Sequence, residues 1–318
     1  MTNDMSYTTE EIAKLLKVSK LTVYDLIKKG DLPAYRVGKQ MRVDASDLDA
    51  YKHKAKGIAD SGLRPIPHAA SAAAIQPPAP NKRMPQLVIT GQDISLDLLA
   101  KHLEKHAPGI RPLRSYVGSL DSLISMYRGE SDIVSTHLID GDTGEYNLPY
   151  VRKLLGGFSY TVIHLLSRSA GFYVAQGNPL GLQAWEDLWR PGLRLVNREI
   201  GSGARVLLDE QLRLHDIDPR RLTGYEHTES NHLGVAGKVA SGEADVGVGI
   251  EKAAHIVGGV DFVPLIQESY DLVMLNRPEN RDWMETVKRI LRSESFHQEL
   301  SAIQGYDLSR TGQVLLET

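Results

Sequence analysis

The stretch Asn197-Arg198-Glu199-Ile200-Gly201-Ser202-Gly203-Ala204-Arg205 carries the residue types that hold an oxyanion. Gly201 and Gly203 let backbone N–H groups approach a ligand at the start of a helix. Ser202 adds a hydroxyl, and Asn197, Arg198 and Arg205 add amide and forked cationic donors. The Gly-Lys-Ser/Thr ending of a nucleotide-phosphate loop is missing. Thr90, Gly91 and Asp93 occupy the same strand-to-helix position earlier in the chain, and Ser119 the one after it, although a serine there reads equally as a helix cap. His137, followed by Tyr146 and Asn147 beyond Gly144, comes after a strand end, where the rim of a cleft would lie. Asn231 and His232 open a later helix and can donate hydrogen bonds into that cleft. Glu251, beyond a Gly-rich strand, can orient a cleft residue or hold a contact between lobes. His227, Glu229 and His232 match no zinc spacing, and the Ser, His and acidic residues have no nucleophile elbow or cofactor loop to organise them. The expectation is a binding site for a small anion, with no catalytic residue, metal or cofactor.

A second set of residues suits a polyanion. Lys20, Tyr24 and Lys28 stand at i, i+4 and i+8, with Ser19 and Thr22 beside them, and Arg36, Lys39, Gln40 and Arg42 follow within a short span. Short elements must position them. Residues 7–16 read as a helix with Thr8 and Glu11 as a capping box and Ile12, Leu15 and Leu16 as its apolar face. After a tight turn at Lys17-Val18-Ser19, Ser19 caps a second helix that Gly30 stops. Within it Val23, Leu26 and Ile27 point inward, which leaves Lys20, Tyr24 and Lys28 on the outer flank. Residues 34–43 form two extended runs, a hairpin wing with Lys39 and Gln40 at its tip and Arg36 and Arg42 on its arms. Asp44 or Ser46 can cap a last short helix through Leu48 and Tyr51. In such a helix-turn-helix, base reading falls to Lys20, Thr22 and Tyr24 and phosphate contact to Lys28, Arg36, Lys39 and Arg42.

The ordered run YTTEEIAKLLKVSKLTVYDLIKKGDLPAYRVGKQMRV resembles the excisionase-like, MerR-related winged-helix family over residues 6–52, which implies double-stranded DNA as a partner. From Lys52 to Pro85 the chain is rich in Lys, Ala and Pro without a sustained apolar period, the composition of a linker; His68 belongs to it, and Ala69 to Ala74 could form a short helix.

Beyond the linker, apolar strands alternate with amphipathic helices. Residues 86–90 read as a strand, the helix after them carries Leu96, Leu99 and Leu103, and the pattern repeats through a helix with Leu120, Leu123, Ile124 and Tyr127 to a strand at 132–136. This alternation implies a parallel α/β sheet with ligands at strand carboxyl ends and helix starts. A second lobe begins near Phe172, continues through the strands 193–197 and 244–249, and returns to the first lobe through 262–265 and 270–274. The helices expected at 281–291 and 295–303 are candidates for a surface between two copies. The segments VGSLDSLISMYRGESDIVSTHLID, DGDTGEYN, NREIGSGARVLLDEQL, SGEADVGVGIE and SYDLVML resemble the periplasmic-binding-protein-like effector domain of cytoplasmic regulators, related to molybdate- and tungstate-binding transport proteins. The fold expected is therefore α/β: a winged helix-turn-helix at 1–56, a linker at 57–85, and a two-lobed type II periplasmic-binding-protein-like clamshell at 86–318, its second lobe at about 168–262.

Charge and composition agree with this division. Residues 1–85 carry 14 Lys and Arg against 9 Asp and Glu, whereas the rest carries 23 against 31, so only the front part suits nucleic acid. The absence of cysteine excludes disulfides and thiolate sites. The start has neither a basic nor an apolar signal region, and no apolar run is long enough to span a bilayer, so a cytoplasmic protein is expected. Together these features predict a one-component transcription regulator that binds DNA as a homodimer or higher oligomer and senses a small anion, with molybdate or tungstate leading. The alternatives are a small organic anion as effector, or a ligand-independent architectural DNA-binding protein.

Overall fold

The protein, seen in a computed structural model, is described over residues 6–16, 18–28, 32–37, 40–45, 47, 48, 51 and 84–318. It divides into two units, residues 1–79 and 80–318. The linker expected at 57–85 lies almost wholly outside the described residues, as do Lys17, Lys29, Gly30 and Ser46.

In the front unit, strand β1 (Ser6–Thr8) leads into α1 (Thr9–Leu16) and then α2 (Lys20–Lys28), followed by the hairpin β2 (Tyr35–Val37) and β3 (Gln40–Asp44). The capping box forms: the Glu11 amide donates to Thr8 Oγ1 at 3.3 Å and the Thr8 amide to Glu11 Oε2 at 2.8 Å. The Thr22 amide likewise donates to Ser19 Oγ at 3.1 Å and starts α2. Ile12, Val23, Leu32, Val43 and Leu48 form a small closed core. Two expectations change. Tyr7 belongs to a strand paired with β3 rather than to the helix, and Leu15, read as part of the apolar face, is 51% exposed because Ile12 and Leu16 alone reach the core.

The rear unit is built on one sheet. The strands β4 (Gln86–Thr90), β5 (Arg111–Ser115) and β6 (Ile133–Thr136) are parallel to one another and alternate with α3 (Ser95–His106) and α4 (Ser119–Tyr127). Helix α5 (Leu148–Leu154) precedes β7 (Tyr160–Ala175). Then come β8 (Leu195–Arg198), α6 (Gly203–Leu214), β9 (Thr228–Glu229), α7 (His232–Ala240), β10 (Val246–Ile250), α8 (Glu251–Val257) and β11 (Val260–Leu275). The strand order is β5-β4-β6-β11-β7-β10-β8-β9. The expectation of a parallel sheet holds within each lobe but fails at its centre, where β7 and β11 run antiparallel over sixteen residues each.

Those two strands join the lobes. Ile163, Leu165 and Leu166 of β7 and Tyr270, Leu272 and Met274 of β11 pack into the first-lobe core, whereas Ala170, Phe172 and Val174, with Val263, Leu265 and Ile266, pack into the second. The segments expected as two separate returns, 262–265 and 270–274, are halves of one strand. The helices α9 (Arg281–Leu291) and α10 (Glu294–Ser301) form close to where they are expected, and they bury Trp283, Val287, Leu291, Phe296 and Leu300 in the first-lobe core. Their apolar faces are thereby spent on closing that lobe. The strands β12 (Tyr306–Asp307) and β13 (Val314–Glu317) add to the outer side of β7.

Where β7 crosses between lobes the backbones come very close. A Cβ on Gly171 would lie 2.0 Å from the carbonyl oxygen of Val263 in β11, beside an irregularity in the ladder between Pro264 and Ile266. Because the obstacle is backbone, Gly171→Ala must displace one strand, with an expected loss of about 3 kcal/mol or more. Urea denaturation checks this: the midpoint should fall at unchanged slope, and an unchanged midpoint would mean that the crossing strands yield freely.

Candidate functional site

A cavity of about 50 Å³ lies between the lobes where β7 and β11 cross. Three helix starts line it: Gly118 and Ser119 at α4, Ser202 and Gly203 at α6, and His232 at α7. Each has extended backbone at its cap, Gly118, Ser202 or Asn231. The Arg205 amide donates to Ser202 Oγ at 3.3 Å and the Gly234 amide to Asn231 Oδ1 at 2.9 Å, which fixes two of the helix entries. The first amides of a helix have no partner within it and carry the positive end of its dipole, so three such ends around a small space favour an anion.

The floor is a chain of buried charges. His137 Nδ1 lies 3.0 Å from Glu268 Oε2, Arg168 Nε donates to Glu268 Oε1 at 2.5 Å, and Arg168 Nη1 donates to Asp93 Oδ2 at 2.5 Å. Tyr306 and the Ser95 amide donate to Asp93 as well. Arg168 and Glu268 face each other across the β7–β11 ladder, and the guanidinium lies 4.5 Å from the centre of the Tyr270 ring. Burial alone would push the Glu268 carboxyl up; the charge of Arg168, and then of His137, holds it down to about 2. Asp93 is also held below its ordinary value, by Arg168 and the Ser95 and Tyr306 hydrogen bonds, against burial. Arg168 meets both carboxylates through Nε and Nη1, while its Nη2 makes no hydrogen bond among the described residues. Buried ions are tolerable only when paired and hydrogen-bonded in this way.

Arg198, almost wholly buried, differs. Its Nε donates to Glu199 Oε2 and its Nη2 to Glu199 Oε1, Ser230 O and the first-lobe residue Gln92, at 2.8 Å from Oε1. Its Nη1 makes no hydrogen bond among the described residues, and the side chain lies on the cavity wall. His232 Nδ1 is buried without a hydrogen-bond partner there. Burial first, then the charges of Arg198, Arg168 and His137, keep this imidazole neutral well below its ordinary range.

The lobes touch around the cavity. The Leu120 amide donates to Gly201 O at 3.0 Å, and a Cβ on Gly203 would lie within 2.4–2.6 Å of the His137 ring. Gly91, at φ +140°, would bring a Cβ to 1.9 Å from Ser135 Oγ.

Of the residues expected to bind ligand, Gly91, Asp93, Ser119, His137, Arg198, Ser202, Gly203 and His232 lie on this wall. Others stand off it. Arg205 is drawn along its helix to Asp209, at 3.0 Å, and its guanidinium stacks 4.1 Å over Tyr225. Thr90 Oγ1 bonds Ser131 Oγ at 2.6 Å beneath the sheet. Asn147, at φ +63°, accepts the Leu138 amide and donates to Asp271, bracing the loop after β6. Tyr146 packs against the second-lobe core with its hydroxyl unpartnered among the described residues. Asn197 accepts the Arg198 amide and donates to Tyr225 O, Gly201 turns the chain at φ +86°, Asn231 caps α7, and Glu251 begins α8.

Sequence reasoning missed Gln92, Ser135, Arg168, Ile250 and Tyr270 on the wall, and Glu268 behind it. Arg168 could have been flagged, since it is a charge between two largely apolar stretches that read as strand; Glu268, beside Gln267 and Ser269, carries no such signal. Asp271, His164 and Ser167 also stand in hydrogen-bonding sequence, at 2.7 and 3.2 Å, but Ser167 is not on the cavity wall and Asn147 and Ser269 complete the group as a brace between strands.

On the front unit, Lys20, Thr22, Tyr24 and Lys28 are all exposed on α2, as the spacing predicts. Lys20 pairs with Glu10 at 2.5 Å, and Ser19 and Thr22 are joined at the start of the helix. Arg36 is exposed on the hairpin, whereas Arg42 donates to Ser6 Oγ at 3.1 Å and ties β1 to β3. Lys39 and the Gln40 side chain lie outside the described residues. No helix among the described residues is long and apolar enough to cross a membrane.

A helix-turn-helix unit joined to a two-lobed cleft is the arrangement of a DNA-binding regulator with a ligand-binding domain. The chain belongs to the PBP superfamily, whose domain matches residues 100–292, and it carries a helix-turn-helix domain matched at residues 6–56. It is 51% identical to the uncharacterized protein YvgK of Bacillus subtilis (strain 168) over 318 residues, the whole of both chains. Among solved structures it is similar in fold to an ancestral amino acid-binding protein, a precursor of cyclohexadienyl dehydratase (17% identity, 69% of this chain and 95% of that one, TM-score 0.51). A Clostridium perfringens substrate-binding protein with bound phosphate is similar to the same degree (14% identity, 69% and 98%, TM-score 0.51).

The buried chain makes stability depend on acid. A carboxyl held at about 2 when folded against an ordinary 4.5 contributes fully above pH 4.5, and that contribution is lost as pH falls from there through about 2. The expected loss from Glu268 is on the order of 3 kcal/mol. Glu268→Gln should be less stable at neutral pH and lose less on acidification. Parallel stability curves for the two proteins from about pH 6 down to about pH 2 would show that Arg168 does not hold this carboxylate.

Proposed function

We propose that this protein is a one-component transcription regulator whose clamshell senses a small oxyanion and whose helix-turn-helix reads DNA as a homodimer or higher oligomer. The observation that carries the sensing half is the convergence of three helix starts and Arg198 on one small cavity between the lobes. At about 50 Å³ it is far below the roughly 300–1,000 Å³ that takes a drug-sized ligand whole, and it suits a small polyatomic anion or an acid group. Molybdate and tungstate are the leading free ions, on the sequence motifs that resemble their binding proteins; an organic anion presenting such a group is the alternative. No residue here is assigned a catalytic role, and neither metal nor cofactor is part of the reading.

Binding across the cleft would favour the closed arrangement of lobes and so bias whatever contacts between copies depend on it. Paired heads would read paired half-sites, since one short recognition helix touches few bases.

A thermal-shift and calorimetric panel of molybdate, tungstate, sulfate, phosphate and small carboxylates tests the sensing half. Arg198→Ala should weaken binding of whichever anion the wild type takes by about 10- to 150-fold, the loss of one charge-assisted hydrogen bond of roughly 1.5–3 kcal/mol. Arg205→Ala should lower stability and leave that affinity nearly unchanged. Equal affinity in Arg198→Ala and wild type would remove the cavity from the reading.

For the DNA half, Lys28→Ala should weaken binding across sequences and flatten its salt dependence by about one counterion, while Tyr24→Ala should change base preference. A selection from random duplexes that enriches nothing would overturn this half. Operator affinity that is identical with and without a tightly bound anion would mean that the anion does not regulate DNA binding.

A further inference from the structure

Beside the anion cavity lies a larger pocket of about 260 Å³, walled mostly by aliphatic side chains. Gln92, Asp93, His232 and Ile250 line both, so the two spaces adjoin across a shared wall. Ile94 reaches the pocket from just before α3 in the first lobe, and Leu233 of α7 and Ile256 of α8 reach it from the second. These three are 46%, 45% and 59% exposed and belong to none of the packed cores. Aliphatic side chains gathered at the mouth of a polar cleft and left in water are the usual mark of a binding surface. The charges at the pocket suit a ligand with an anionic end. Asp93 is ion-paired with Arg168 and accepts from Tyr306, and Lys252, on the same wall, adds a cation whose Nζ lies 3.4 Å from the Tyr306 hydroxyl.

We propose that this pocket holds the hydrocarbon part of an organic oxyanion, a short alkyl or aryl carboxylate or phosphonate, whose acid group occupies the cavity. The assignment rests on the reading of the cavity as an anion site and names the effector class within it. A free inorganic ion fills the cavity and leaves the aliphatic wall wet. An organic one covers it, and because Ile94 and Leu233 sit on opposite lobes, the tail bridges the cleft as the head does. Both ends of the ligand then favour closure.

Calorimetry on the full-length protein with two homologous series, acetate to hexanoate and methyl- to pentylphosphonate with phenylphosphonate, tests this against molybdate, sulfate and phosphate as tailless ions. In the series whose acid group fits, affinity should rise about two- to fourfold for each methylene added, as partial to full burial of a CH₂ implies. Leu233→Ser with Ile256→Ser should flatten that rise while leaving the affinity for the shortest member unchanged. If inorganic ions bind but longer homologues bind no tighter, the pocket assignment is overturned and the anion site stands. If no ion of any series binds, the anion reading fails and takes this assignment with it. If the double variant keeps the rise but loses self-association in sedimentation, the aliphatic wall is a contact between copies, and the proposal is wrong.

Discussion

Arg168 holds the rear domain's centre together. It sits where the two long strands pass from one lobe to the other, and it pairs with both Glu268 from the opposite strand and Asp93 from the first-lobe helix entry. Without it two buried carboxylates would lose their shared cation, a situation that costs several kcal/mol per uncompensated ion. Glu268 in turn fixes His137, whose ring packs where only a glycine, Gly203, lets α6 begin. A single guanidinium therefore links the first lobe, the crossing strands and the point where the second lobe closes.

This arrangement sets acidic residues at the floor of the cavity beside cationic and hydrogen-bond-donating groups. Asp93 and Glu268 share the one cation of Arg168, with His137 beside the second oxygen of Glu268, and the rest of the wall presents helix starts, serine hydroxyls, the Nη1 of Arg198 and the neutral imidazole of His232. Fixed backbone dipoles serve well here because they need no reorganisation when the charge arrives. Arg198 has a second consequence, since it also binds Gln92 of the other lobe. A group that touches both lobes and the cavity would, in the proposed sensor, tie occupancy to closure.

The front unit depends on different physics. Among the described residues its core is five buried aliphatic side chains with a fringe of partly buried neighbours, so caps and a three-stranded sheet matter more to it than in a larger domain. Arg42 illustrates this, since it reads as a phosphate contact by position yet spends hydrogen bonds on Ser6. Binding and folding draw on the same few polar groups.

The sequence by itself determined the helix-turn-helix and the alternation of strands and helices within each lobe, but not helix α5 or the long strand β7. Capping boxes, apolar periodicity and glycine turns act between near neighbours, so Thr8 with Glu11, Ser19 with Thr22 and the helix start at Ser202 could be read directly. The same locality made half of the cavity legible, because Gly91, Ser119, Ser202 and His232 stand at strand-to-helix junctions that announce themselves. What only the tertiary structure decided is which of these junctions meet, and which side chains turn toward the meeting point. Arg198 and Arg205 look equivalent in one segment, but Asp209 and Tyr225 draw Arg205 aside while Glu199, Ser230 and Gln92 hold Arg198 at the cavity. Arg168, Glu268 and Tyr270 could not be assigned to the site from spacing, since the contacts that bring them there span about a hundred residues or more. Their partners are set by the register of two antiparallel strands, and register is a property of the folded sheet rather than of either segment.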